Sequence, residues 1–172
     1  MRHHPRIPQH ESPAIAGGAS LRELAKAQVG PASEPRHTRI ADVSTDNSAE
    51  GIAISPDGTL VATVNMRGTE FPPGSPRFQR QSTVTLLRFD TESGGLTKVA
   101  DYLIDGVLPE GGAFDLLGDH FLATVFQGHE GATADTGPGL ETFRVVKGPK
   151  PRLERLGRIA MPHGVHHVVL TP

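Results

Sequence analysis

The chain has 172 residues and a formal net charge of −2, from 17 Lys and Arg against 19 Asp and Glu, with no Cys, no Trp and a single Tyr. Without Cys there are no disulfides, no thiolate nucleophile and no Cys-based zinc site, and no apolar run approaches the ~18 residues that a membrane span needs. Twenty Gly and fifteen Pro point to short elements joined by tight turns rather than to a helical bundle.

Residues 1–37 are expected to form a mostly disordered arm, broken by Pro and Gly and with little periodicity. Residues 1–40 hold six Lys or Arg against three Asp or Glu, and the remainder eleven against sixteen. A net negative body lacks the basic face that nucleic acid requires, so no nucleic-acid partner is expected. Ala14-Ile15-Ala16 is too short for the apolar core of a secretory signal, and a cytoplasmic protein without a membrane partner is expected. Ser20-Leu21-Arg22-Glu23 matches a capping box, which predicts a short helix over 21–28 that stops at Gly30-Pro31.

From about Thr38 the pattern becomes that of strands. Ile52-Ala53-Ile54 is a predicted strand, closed by the turn Ser55-Pro56-Asp57-Gly58, where Pro presets φ and Gly accepts a positive φ. Leu60 to Val64 is the return strand. A long polar loop with three prolines follows, from Met66 to Ser82. Thr83 to Phe89 and Leu96 to Ile104 complete a predicted unit of four antiparallel strands.

The pattern then repeats. Pro109-Glu110-Gly111-Gly112-Ala113-Phe114 matches Ala49-Glu50-Gly51-Ile52-Ala53-Ile54, and Phe121 to Val125 is matched to Leu60 to Val64. Thr142 to Val145 matches Leu86 to Phe89, and Leu153 to Leu156 matches Leu96 to Val99. Pro162-His163-Gly164 looks like the start of a third copy. The expected fold is therefore all-β: a partial β-propeller of four-stranded antiparallel blades over 38–172, with one blade at 50–108, a second at 110–161 and the first strand of a third at 163–170.

Glu50-Gly51-Ile52-Ala53-Ile54-Ser55-Pro56-Asp57-Gly58-Thr59-Leu60-Val61-Ala62-Thr63-Val64-Asn65 resembles the blade-opening motif of the lactonase-like seven-bladed β-propellers, the 6-phosphogluconolactonase-type and YVTN-repeat proteins. The Pro-[Glu/His]-Gly starts at 109–111 and 162–164 narrow the resemblance to the lactonase group. It covers roughly residues 38–172 and implies a portion, a little over two blades, of a larger ring. It also implies a lactonase or lactonising activity on a lactone or sugar-derived small molecule, and open blade faces able to self-associate.

The first residues of successive inner strands converge at the mouth of a propeller's channel, which singles out Glu50, Glu110 and His163. Two carboxylates and an imidazole there suit a general base that activates water against a lactone carbonyl, or a divalent-metal site. The plain alternative is that they cap strand ends. Arg67, just beyond Asn65, is their candidate cationic partner. His163 and His166 lie three apart, so on a strand they would face opposite sides. The basic stretch Lys147 to Arg152, with Arg155 and Arg158, is expected to be a solvated outer edge. No Gly-x-Gly-x-x-Gly, Walker or Gly-x-Ser-x-Gly pattern is present, so no cofactor and no Ser-hydrolase chemistry are expected. The rival function is a non-catalytic propeller that docks a partner, or a truncated, inactive product.

Overall fold

The computed structural model describes residues 39–171. The predicted arm and its helix at 21–28 lie outside the described residues. The described chain is all-β, with no helix, and forms two four-stranded antiparallel sheets. The first is ordered β1 (Ala49–Ile54), β2 (Leu60–Asn65), β3 (Gln81–Phe89), β4 (Leu96–Asp105). The second repeats that order with β5 (Gly112–Phe114), β6 (His120–Val125), β7 (Gly139–Val146) and β8 (Arg152–Ala160). Each strand pairs only with its sequence neighbour, the arrangement of a blade.

The hairpin turns set the register. Gly58 and Gly118 both sit at positive φ (72° and 67°), and their N–H groups donate to the Ser55 and Asp115 carbonyls at 2.8 and 2.9 Å. Each turn is followed two residues later by the return strand, so Leu60 stands opposite Arg88 and His120 opposite Arg144. Leu60 is thus equivalent to His120, not to Phe121. The two Ala-Thr-Val triplets at 62–64 and 123–125 look equivalent in sequence but stand one residue apart in register, and a one-residue slip exchanges the two faces of a strand. The other matched segments agree with the pairing. Even a β-bulge repeats, between Leu86 and Leu87 in one sheet and between Thr142 and Phe143 in the other.

The apolar core lies between the sheets. Leu60, Ala62, Val64, Val84, Leu86 and Ile104 from the first sheet meet Phe121, Ala123, Val125, Phe143 and Val145 from the second. Phe121 packs between Phe114 and Phe143, with centroids at 4.9 and 6.4 Å, and the Tyr102 hydroxyl accepts from the Leu153 N–H at 3.0 Å. At one margin of this interface Glu141 and Arg158 are both fully buried. Arg158 donates to Glu141 Oε2 from Nε (3.0 Å) and Nη2 (2.7 Å), and its Nη2 also reaches the Asp105 carbonyl of the first sheet at 2.6 Å. Arg155 is the second partner of Glu141. The basic segment is therefore not simply a solvated edge: two of its arginines pair with a buried acid, which sequence position alone does not reveal.

Along the inner edge the contact is backbone against backbone. A Cβ at Gly51 would lie 2.6 Å from the Glu110 carbonyl oxygen, and one at Gly111 would lie 2.6 Å from that of His166. Residues 163–170, expected as the first strand of a third blade, are not a strand. Among the described residues they find no second strand with which to build a ladder, and strand geometry depends on such a ladder. The far face of the second sheet leaves Ile159 and Met161 52% and 38% exposed, at the positions where the first sheet half-buries Tyr102 and buries Ile104.

Two predictions follow from these contacts. Gly51→Ala forces the inner strands apart and is expected to cost about 1–3 kcal/mol in chemical denaturation, whereas Gly74→Ala, with open space around it, is expected to be near neutral. The second concerns Asp57, which accepts from Ser55 Oγ (2.6 Å), Thr59 N (3.1 Å) and Thr59 Oγ1 (2.9 Å). These bonds, led by that from Ser55, hold its carboxyl below the usual 3.8. With the folded value below the unfolded one, its contribution is complete above the unfolded value and is lost as pH falls through the folded one. Asp57→Asn should therefore flatten the acid limb of stability below about pH 4, measured by urea denaturation across pH; an unchanged limb would contradict it.

Candidate functional site

The inner-edge glycines align the starts of the two sheets and the segment that follows them. Gly51 seats on Glu110, and Gly111 seats on His166. Glu50, Glu110 and His166 are therefore the equivalent positions, each just before or at the residue that carries the bare contact. His163 is not one of them. It is exposed, and among the described residues its side chain makes no hydrogen bond or ion pair. The likeness of Pro162-His163-Gly164 to Pro109-Glu110-Gly111 set the sequence alignment three residues early. Gly164 serves another purpose: a Cβ there would run into the Phe126 ring and its carbonyl oxygen, so the glycine lets the chain pass over Phe126.

Glu110 Oε2 contacts His166 Nδ1 directly. The Glu110 side chain is 25% exposed and that of His166 54% exposed. The imidazole also lies on Phe126, with ring centroids 4.7 Å apart and planes inclined by 42°. Beneath the pair, the buried Thr124 hydroxyl ties the two segments together. It accepts from Gly111 N (2.8 Å) and Glu110 N (3.3 Å), and donates to the His166 carbonyl (3.0 Å). One β6 hydroxyl thus positions the backbones of both partners.

A carboxylate against Nδ1 fixes the tautomer: Nδ1 carries the hydrogen and Nε2 keeps its lone pair. A carboxylate on one ring nitrogen with the other left free is an arrangement that general-base chemistry can use.

Glu50 and Arg67 do not join the pair. Glu50 is exposed and occupies the bulge of β1, between the paired residues Ala49 and Gly51. Arg67 is half-buried and turns to Asp46, with Nε 3.1 Å from Oδ2, while its Nη1 reaches the Gln81 carbonyl at 3.4 Å. Asp46 also accepts from Thr83 Oγ1 at 3.0 Å. Thr83 belongs to a buried polar cluster in which Asn65 Nδ2 donates to Thr83 Oγ1 (3.2 Å) and Thr85 Oγ1 (3.0 Å), and Thr85 donates to Asp101 (2.6 Å). Burial would raise the Asp101 carboxyl, but Lys98 and Thr85 outweigh it and hold the group below its usual range. Among the described residues no group of three or more His, Cys, Asp or Glu is placed to hold a metal ion. His129 is spent on the rim loop, stacked edge-on to Phe78 at 5.8 Å and hydrogen-bonded to the Arg80 carbonyl at 2.9 Å.

No family model matches the chain, and no curated protein matches it. Among solved structures, a protein assigned as a 6-phosphogluconolactonase from Bacteroides fragilis is similar at 19% identity over 69% of this chain, with a TM-score of 0.49. The periplasmic gluconolactonase of Pseudomonas aeruginosa is similar at 15% identity over 66% of this chain, with a TM-score of 0.47. The chain spans 27% and 29% of the lengths of those two structures.

Proposed function

We propose that the chain is part of a lactonase-like β-propeller in which His166, oriented by Glu110, acts as general base toward a sugar lactone or a related cyclic ester. The contact between Glu110 Oε2 and His166 Nδ1 carries the proposal, and the blade-opening motif Glu50 to Asn65 supports it. In the proposed step, His166 Nε2 takes a proton from water as the water oxygen bonds to the lactone carbonyl carbon. The tetrahedral intermediate then breaks its ring C–O bond. The leaving alkoxide takes the proton back from His166, so a hydroxy acid is formed and the base is regenerated. Glu110 holds the ring through Nδ1 during the step. His163 takes no part, and Glu50 lies on the same inner edge as a contact for the substrate's hydroxyls.

A second function, docking without catalysis, is favoured by one observation. The far face of the second sheet exposes Ile159 and Met161 where the first sheet is covered.

Acid release from a sugar δ-lactone, followed in a pH-stat, separates the two. Catalysis predicts that His166→Ala and Glu110→Gln each lower the turnover rate, with about 10²–10⁴-fold expected for loss of the base, while His163→Ala keeps wild-type turnover. A folded protein without turnover, or His166→Ala as active as wild type, would contradict catalysis.

A further inference from the structure

The loop from Met66 to Ser82 is not used by the proposed chemistry, yet it is a built structure. Its backbone is closed on itself: Phe71 N donates to the Gly68 carbonyl (3.2 Å), Ser75 N to Pro72 (2.8 Å) and Phe78 N to Ser75 (3.1 Å). Gly68 sits at φ 107°, and a Cβ there would collide with the Arg77 carbonyl oxygen. The bare α-carbon therefore holds the far limb of the loop, with Arg77, against the start of the loop, with Arg67. Pro72, Pro73 and Pro76 restrict the excursion between them.

At the base of the loop two non-glycine residues are held at positive φ, Ser48 at 54° and Arg67 at 60°. They belong to segments hydrogen-bonded to each other, Met66 N to the Ser48 carbonyl (2.9 Å) and Arg67 N to the Asn47 carbonyl (3.0 Å). Such a conformation is unfavourable for a side-chain-bearing residue and persists where the surroundings impose it. Here it sets the direction in which Arg67 leaves the backbone.

The result is a cavity of about 470 Å³ whose lining includes Arg67, Arg77, Asp46, Asn47, Phe71 and Gln79. Two guanidinium groups face one carboxylate, and Asp46 is already engaged by Arg67 Nε and Thr83. Among the described residues the Arg67 Nη2 has no partner, and the Arg77 guanidinium is held only over the Phe71 ring, 4.1 Å from its centroid. Ser48, which also lines the cavity, donates its hydroxyl to Glu70 at 3.3 Å. Two guanidinium forks with free N–H groups, flanked by the Asn47 and Gln79 amides, are the donor set for a planar or tetrahedral oxyanion.

We propose that this cavity binds a small oxyanion, a carboxylate or phosphate group, between Arg67 and Arg77, separately from the Glu110–His166 pair. Binding is read by NMR chemical-shift titration of the full chain with inorganic phosphate in one arm and acetate in the other, at low ionic strength because exposed charges are screened by salt. Saturable shifts in residues 46–48 and 66–79 are expected with at least one anion, and the responding arm identifies the oxyanion type. Arg67→Gln and Arg77→Gln should each weaken binding about tenfold or more, while Arg80→Gln, outside the cavity, should leave it unchanged. Arg67 also anchors Asp46, so Arg77→Gln is the deciding variant if Arg67→Gln unfolds the loop. No saturable shift with either anion, or equal weakening by Arg80→Gln and Arg77→Gln, would overturn the proposal. Neither result depends on lactone turnover.

Discussion

The organisation of the described chain depends on a bare backbone contact made twice, Gly51 on Glu110 and Gly111 on His166. At each place a methyl group would put carbon 2.6 Å from a carbonyl oxygen, well inside van der Waals contact. Only glycine lets the inner edge of one sheet come this close to the next segment. The contact fixes how far one unit is advanced on its neighbour, and so which side chains share the rim. A shift of even one residue would carry His166 away from Glu110.

Other interactions hold what this contact aligns. The core between the sheets supplies non-directional attraction, which does not by itself choose a register. Direction comes from polar groups at its margins. Thr124 links the backbones of Glu110, Gly111 and His166. Arg158 links Glu141 of the second sheet to the Asp105 carbonyl of the first. A buried pair of this kind is weak evidence of added stability, since desolvation offsets much of its attraction. Removing Glu141 would strand the buried Arg158 charge, so the pair penalises misaligned packing more than it strengthens the aligned one.

Much of the fold was legible in the sequence because strand and turn signals are local. Ser55-Pro56-Asp57-Gly58 and the mostly apolar run from Leu60 to Val64 mark a hairpin without reference to anything distant, and the second sheet repeats that pattern. Register was less legible: Ala62-Thr63-Val64 and Ala123-Thr124-Val125 look equivalent, while the turns place them one residue apart. The third blade start failed for a similar reason. Pro162-His163-Gly164 imitates Pro109-Glu110-Gly111, but Gly164 is there to clear Phe126, and the glycine-free pair His166-His167 occupies the equivalent place. Of the candidate residues, Glu110 finds a chemical partner, whereas Arg67 turns to Asp46 and Glu50 stands in a bulge. The burial of Arg158 depends on Glu141, 17 residues away, and has no local signature at all.

The alignment of Glu110 with His166 rather than His163 is the central claim, and a double-mutant cycle on unfolding free energy tests it most directly. Glu110→Gln is combined with His166→Asn in one cycle and with His163→Asn in the other. The account predicts a coupling of about 0.5 kcal/mol or more between 110 and 166, and none between 110 and 163. Coupling to position 163, or to neither, would contradict it.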